Sequence, residues 1–208
     1  IEFSTDITDG DVHILGYGID PSNQTLQDAL AQFRESRIDR AARIVERLRS
    51  LGVELPEGSV HASTGGASVG RPHIARAMIA AGYVDSVADA FDRYLGNDKP
   101  AYVASEHRPT PIGAIRLIHA AGGLAIHAHP FTSNLFPTSL PDLVAAGLDG
   151  IEVYYAEYSP QQRSVLARIA ADNDLLATGG SDYHGEQFSA RRALGSAGLP
   201  TEVVQTFL

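Results

Sequence analysis

Two short apolar runs in this sequence end in side chains that bind metals. The first passes through 122–126 into His127, Ala128 and His129, and the second passes through Gly179-Gly180 into Asp182 and His184. In parallel α/β proteins the strand ends meet at one edge, where the chemistry is placed. Imidazole and carboxylate groups gathered there are the ligand set of zinc, manganese or iron. Satisfied core histidines and a turn aspartate are the simpler interpretation, but an H-x-H and a D-x-H together favour a metal site.

The composition limits the class of protein. The 208 residues carry a net charge of −9 and no cysteine, so any metal must be held by nitrogen and oxygen. The acidic balance argues against a duplex-DNA surface or an anionic-membrane surface. No run approaches the roughly 20 apolar residues of a membrane span, and the chain does not open with a signal-peptide pattern. We therefore expect a cytoplasmic protein with no membrane partner.

The elements that must position these side chains divide the chain in two. Residues 109–208 alternate helix and strand, which is typical of parallel βα units. Residues 1–21 alternate like two strands joined by a turn at 8–11, and residues 22–108 show helical spacing and no convincing strand. Strands are predicted at Leu124–Ala128, Gly150–Tyr155 and Leu175–Thr178. Helices are predicted at Leu26–Leu51, Ile74–Ala81, Val87–Leu95, Pro111–Ala121, Leu140–Ala146 and Pro160–Asp172.

These patterns predict a part of a βα barrel with a helical insertion. The barrel domain is assigned to 1–21 and 109–208, and the insertion subdomain to 22–108. We expect this insertion to close over the substrate. The chain begins at Ile1, already inside a predicted strand, so we also expect it to lack an N-terminal segment.

The motifs and their order resemble a known family. They are Glu2 with Ser4-Thr5, the run 12–18, Gly70–His73, Ala128–Pro130 and Ser181–Gly185. Together they resemble the PHP-domain (polymerase and histidinol phosphatase) metal-dependent phosphoesterases, and most of all the branch of nucleoside 3′,5′-bisphosphate phosphatases and 5′-3′ exoribonucleases. The resemblance covers essentially the whole chain. It implies a distorted (β/α)7 TIM-like barrel and two or three divalent metal ions, with manganese first and iron or zinc as alternatives.

The resemblance also implies a set of site residues. The implied metal ligands are Glu2, His13, His129, Asp182 and His184, of which the last three are also implied to be catalytic. Each ends or follows an apolar strand, so we expect all five to meet in one cleft. His127 lies where the family usually has an apolar residue, and we assign it to packing or to the surroundings of the ligands. The family's opening H-x-H motif and its later D-H pair are absent, so we expect the 208-residue chain alone to be inactive.

Arg71 and His73 are the predicted substrate-binding residues. They lie at the start of a predicted helix, where free backbone N–H groups and a guanidinium both favour phosphate. A solvated arginine beside a helix start is the alternative, and the resemblance favours phosphate. Glu152 lies on a predicted strand and is expected near the metals without binding them. The tyrosines at 154, 155 and 158 are either packing residues or a stacking surface for a base.

These residues predict a metal-dependent phosphoesterase. We expect it to hydrolyse nucleoside 3′,5′-bisphosphates, or to trim short oligonucleotides in the 5′-3′ direction, with a metal-activated hydroxide. The expected partner is thus a small phosphorylated nucleotide or a short oligonucleotide, and no protein partner is indicated. A histidinol-phosphate phosphatase, a metal amidohydrolase and a non-catalytic PHP module remain as alternatives. Arg71 bears on the second of these, because a neutral amide does not need a phosphate-binding guanidinium.

Overall fold

The computed structural model describes residues 1–5, 12–64, 69–104, 108–184 and 190–205. The chain packs into two compact units, one formed by Ile1–Gln27 with Arg108–Leu208 and the other by Asp28–His107. The assignment of these units to a barrel domain and an insertion stays a prediction. The turn expected at 8–11 lies outside the described residues.

A five-stranded sheet forms the centre of the first unit. Its strands are β1 (Glu2–Ser4), β2 (His13–Tyr17), β3 (Leu124–His127), β4 (Gly150–Tyr155) and β5 (Leu176–Gly180), and they lie in that order across the sheet. The first two pairings, β1 with β2 and β2 with β3, are antiparallel. The pairings of β3, β4 and β5 are parallel, as alternating helices and strands predict. The α/β class is therefore confirmed.

The described strands form an open sheet, and the TIM-like barrel of which the sequence predicts a part stays a prediction. Within the described residues β1 pairs only with β2, and β5 pairs only with β4. A small closed barrel uses about eight strands, whereas this sheet has five, the shortest of three residues and the longest of six. Too few strands are present here to bring the two edges together.

Eight α-helices occur in the described residues. They are α1 (Gln24–Ser50), α2 (Ser59–Ala62), α3 (Arg71–Ala80), α4 (Val87–Ala90), α5 (Pro111–Ala120), α6 (Leu140–Ala145), α7 (Pro160–Asp172) and α8 (Thr201–Gln205). The sequence missed the short α2 and α8. A π-helical turn at Phe91–Leu95 directly follows α4, so the helix predicted over 87–95 changes its hydrogen bonding halfway.

Helices α5 and α7 support the sheet, and local sequence fixes where each begins. Pro111 starts α5, and the Thr110 hydroxyl accepts a hydrogen bond from the backbone N–H of Gly113 at 3.0 Å. Ser159 caps α7 in the same way, accepting from Gln162 N at 3.2 Å. Both helices pack on the strands. They therefore hold β2, β3 and β4, which lead into the site described below.

The second unit has its own apolar core and, among its described residues, no strand. Its largest fully buried side chains are those of Ile44, Leu48, Ile74, Met78 and Leu95. The Ser86 hydroxyl caps α4 by accepting a hydrogen bond from Asp89 N at 3.0 Å. In the part of the chain that the structure describes, no helix is both long and apolar enough to cross a membrane.

Candidate metal centre

Three of the five predicted metal ligands meet at one point. One carboxylate oxygen of Glu2, Oε1, lies 2.8 Å from His13 Nδ1 and 3.5 Å from His129 Nε2. The two imidazole nitrogens are themselves 3.2 Å apart. All three donor atoms thus lie within 4.8 Å of one another. Two nitrogens and one oxygen at this spacing can coordinate one divalent ion.

Strand direction explains how residues so distant in sequence meet. His127 ends β3, whereas Glu2 and His13 each begin a strand, so the prediction that every ligand ends or follows a strand was wrong for these two. His13 reaches the same edge because β2 runs antiparallel to β3, and the His13 carbonyl accepts a hydrogen bond from Ala128 N at 2.9 Å. Ser4 pairs with His13. Glu2, two residues earlier, therefore shares their face of the sheet.

The backbone and ring of His129 are both held by neighbours. Its φ of 28° and ψ of 55° are unusual for a residue other than glycine. Its backbone N–H donates to Glu152 Oε2 at 2.8 Å. The Thr132 hydroxyl lies 2.8 Å from His129 Nδ1 and donates to the His129 carbonyl at 3.0 Å, so this hydroxyl must accept from Nδ1–H. The Nε2 lone pair is then left for a metal.

The charge at this site favours cations. The neighbouring imidazoles, that of His129 first and that of His13 next, hold the pKa of the Glu2 carboxyl far below its usual range, against the opposing effect of burial. The exposed fractions of the Glu2, His13 and His129 side chains are 33%, 22% and 14%, so the donor atoms are partly shielded from water. A partly desolvated carboxylate between two imidazoles fits a divalent cation by the chemistry of its donors.

Asp182 and His184 form a separate pair. His184 Nδ1 lies 3.1 Å from Asp182 Oδ1, and neither belongs to the three-residue group described above. Tyr155 lies between this pair and that group. Its ring centroid is 5.7 Å from that of His129, and its hydroxyl donates to Asp182 Oδ2 at 3.3 Å. The structure thus connects all five residues through Tyr155, and their role as ligands stays a prediction.

Arg192 is a residue that sequence reasoning did not single out. Its Nη1 donates to Asp182 Oδ2 at 2.7 Å and its Nη2 donates to Glu157 Oε2 at 2.9 Å. The guanidinium also lies over the Tyr155 ring at 5.7 Å. One carboxylate oxygen of Asp182 is therefore bound by protein donors, and Oδ1 faces His184. No local motif marks Arg192, because it reaches the site only through the fold.

His127 lies on the other face of the sheet. It pairs with Ile14 and with Ile151, so it points away from the face that carries His13. The side chain is fully buried, and neither ring nitrogen has a hydrogen-bond partner among the described residues. Its ring packs edge-on against Phe136 at 5.7 Å. These contacts agree with the expectation that His127 is a packing residue.

The two predicted phosphate-binding residues lie in the second unit. Arg71 Nη1 donates to the Leu95 carbonyl at 3.0 Å and to Asn97 Oδ1 at 3.1 Å, and the guanidinium lies over the rings of Phe91 and Tyr102. His73 Nδ1 accepts a hydrogen bond from Gly70 N at 3.1 Å. Burial, followed by the charge of Arg76, lowers the pKa of His73. Both side chains therefore have defined positions at the start of α3, and their role in binding substrate stays a prediction.

Comparison with known proteins identifies relatives over most of the chain. No family model matches it. It is 38% identical over 191 residues to the 5′-3′ exoribonuclease Rnm of Escherichia coli, covering 88% of this chain and 64% of that protein. It is 35% identical to the 5′-3′ exoribonuclease of Haemophilus influenzae, and the match covers 88% of this chain and 68% of that protein. It is 33% identical to the 3′,5′-nucleoside bisphosphate phosphatase of Chromobacterium violaceum, and that match covers 83% of this chain and 62% of that protein. The chain thus spans about two thirds of the length of these relatives.

Solved structures agree with these sequence matches. A metal-dependent phosphoesterase from Bifidobacterium adolescentis superposes with a TM-score of 0.84 at 33% identity, covering 99% of this chain and 73% of that one. A second match, described as an amidohydrolase from Chromobacterium violaceum with bound sulfate, has a TM-score of 0.76 at 31% identity, covering 89% and 66%. With the extent of the exoribonuclease match, these likenesses establish that the chain belongs to the family of metal-dependent phosphoesterases that includes the bacterial 5′-3′ exoribonucleases and 3′,5′-nucleoside bisphosphate phosphatases.

Proposed function

We propose that this chain forms the catalytic part of a PHP-type phosphoesterase that hydrolyses nucleotide phosphate esters. Its substrates would be nucleoside 3′,5′-bisphosphates or the 5′ ends of short RNA chains. The observation that carries the proposal is the convergence of Glu2, His13 and His129 within 4.8 Å. The names of the relatives support the substrate class, since they include exoribonucleases and a bisphosphate phosphatase.

The residues present fit divalent metals: Glu2, His13 and His129 would hold one ion, and Asp182 with His184 would contribute to a second. Nitrogen and oxygen donors of this kind suit manganese, and also iron or zinc. A bound divalent metal acts as a Lewis acid that lowers the pKa of water and neutralises charge on phosphoryl oxygens. The protein's own contribution is to fix the donors. Thr132 sets the tautomer of His129, and Arg192 fixes the carboxylate of Asp182.

Two further groups would act on the substrate. Arg71 would bind a phosphate through its guanidinium, supported by His73 at the same helix start. A histidine close to the metals that does not itself bind one would donate a proton to the leaving oxygen. The side chain of His184 is 52% exposed, so water and substrate can reach the site beside Asp182.

The test uses Mn²⁺, a chelator and two kinds of substrate. A protein as long as these relatives that contains this chain should release phosphate from adenosine 3′,5′-bisphosphate, or mononucleotides from 5′-phosphorylated RNA, only when Mn²⁺ is present. The 208-residue chain alone is expected to be inactive. His129→Ala and Asp182→Ala should each lower the amount of bound metal. Each should also lower kcat/KM by about 10²-fold or more. His61→Ala, at an exposed histidine of the second unit, is the matched control.

Two outcomes would contradict the proposal. One is full turnover of phosphate esters after metal has been removed quantitatively. The other is metal-dependent cleavage of amide substrates without any cleavage of phosphate esters, which would favour the amidohydrolase alternative.

A further inference from the structure

Glu152 is a buried carboxylate to which the proposed mechanism gives no role. Glu152 is 3% exposed, and it lies on β4, between the strands that lead to His129 and to Asp182. Burying a carboxylate is costly unless hydrogen bonds compensate for the lost water. The side chain of Glu152 must therefore make hydrogen bonds that compensate for its burial, and those bonds indicate its role.

The contact that compensates Glu152 is made by the backbone of a predicted metal ligand. Glu152 Oε2 accepts the hydrogen bond of His129 N at 2.8 Å. His129 has a φ of 28°, a conformation that a residue with a Cβ adopts only when its surroundings hold it there. Two residues further on, Phe131 N donates to the Tyr158 hydroxyl at 2.8 Å, so the segment after β3 is bound at two successive points. The hydrogen bond from His129 N to Glu152 fixes the backbone position from which the His129 side chain extends.

The neighbouring strand leaves room for this carboxylate. A Cβ added to Gly180 would lie 2.9 Å from Glu152 Oε1, closer than a normal contact. Among the described residues, no other atom outside its own chain neighbours lies within 4 Å of that position. Gly180 has no positive φ that would require glycine. Within this part of the chain, the contact that favours a small residue at 180 is therefore the one with Glu152.

We propose that Glu152 is a positioning residue that holds His129 in its ligand geometry by accepting the hydrogen bond of the His129 backbone, and that Gly180 is small to leave the carboxylate in that position. This inference rests on the proposed function, since it takes His129 to be a metal ligand. Glu152 itself stands outside the group of donor atoms that lie within 4.8 Å of one another in the described residues. It acts through His129.

The experiment measures the affinity for Mn²⁺ alone by calorimetry, together with kcat and KM. Glu152→Leu removes the acceptor and should weaken Mn²⁺ binding by about tenfold or more, in the range found when the partner of a metal ligand is lost. Glu152→Gln keeps an oxygen that can accept from His129 N and should stay within about threefold of the parent. Gly180→Ala keeps Glu152 but moves its carboxylate, so it should also weaken Mn²⁺ binding. This variant provides the test if Glu152→Leu does not fold.

The control is a similar contact at the other end of the same strands. Asp149 Oδ2 accepts the hydrogen bond of Ala125 N at 2.7 Å, and also contacts His119. Asp149→Leu, which likewise removes the acceptor, should lower the Tm and leave Mn²⁺ affinity unchanged. Equal losses of affinity in Asp149→Leu and Glu152→Leu would reduce Glu152 to a structural role. Parent affinity in folded Glu152→Leu would overturn the inference, as would a loss in Glu152→Gln as complete as that in His129→Ala, because Glu152 would then be a ligand.

His129→Ala separates this inference from the proposed function. If His129→Ala binds Mn²⁺ as the parent does, the metal site itself is wrong and the role of Glu152 falls with it. If His129→Ala loses Mn²⁺ and folded Glu152→Leu retains it, the metal site stands and only the positioning role is wrong.

Discussion

Replacing His127 by leucine should make the protein less sensitive to acid. The imidazole is fully buried, and its two nitrogens have no hydrogen-bond partner among the described residues. Burial, reinforced by the charges of His129 and His13, lowers the pKa of His127 from 6.5 to about 3. The unfolded chain therefore binds a proton at this residue at a pH where the folded chain does not. Stability must fall as the pH falls below the unfolded value, and it continues to fall until the pH nears the folded one.

The size of this effect follows from the two pKa values. Each pH unit between them costs about 1.4 kcal/mol of unfolding free energy. At about pH 5 the unfolded histidine is 1.5 units below its ordinary pKa of 6.5, and the loss relative to about pH 8 is therefore about 2 kcal/mol. Leucine has a similar volume and no polar atom to bury, so His127→Leu should be at least as stable as the parent at about pH 8.

Urea unfolding followed by circular dichroism across this pH range, with chelator present, measures the difference. His61→Leu, the same change at an exposed histidine, should keep the acid sensitivity of the parent. An unchanged pH dependence in His127→Leu would refute the reasoning about burial. A loss of Mn²⁺ binding in His127→Leu would instead place the imidazole in the metal site and contradict its position on the opposite face.

Three further changes test other parts of the structure. Arg71→Ala should raise KM for phosphorylated substrates and lower kcat/KM by about 10²-fold with bound metal unchanged; unchanged kinetics would leave Arg71 with only its contacts inside the second unit. Arg192→Met removes the donor to Asp182 Oδ2 and should weaken Mn²⁺ binding in calorimetry by about tenfold, and parent affinity would contradict the assigned role. Gly150→Ala places a Cβ 2.6 Å from the Leu176 carbonyl and should lower unfolding free energy by about 2 kcal/mol, measured in urea; parent stability would show that β5 can move aside.

The predicted metal ligands differ in how much of their environment the sequence could indicate. His129, Asp182 and His184 follow apolar runs that are strands in the structure, so periodicity was enough to place them near strand ends. Glu2 and His13 begin short strands, and their position at the same edge depends on antiparallel pairing over a sequence distance that no local pattern reports.

The residues that support the ligands were the hardest to predict. Glu152 carried a weak signal, a carboxylate inside an apolar strand, but its hydrogen bond to His129 N needs the register of β3 against β4. Thr132 and Arg192 carried none. Thr132 contacts His129 three residues away through a tight turn, and Arg192 contacts Asp182 ten residues away, outside any regular element that the sequence predicts.

By itself the sequence determined the α/β class, the parallel βα units, most of the helices and the types of metal-binding side chain. These properties follow from periodicity, helix caps and side-chain chemistry. Such signals lie in neighbouring residues, so they can be read before the fold is known. The tertiary structure alone decided that the described strands form an open sheet, that His127 faces away from His13, and which carboxylates approach which imidazoles. Strand direction and register decide these points, because a change of either would move every side chain of a strand to the other face or the other end.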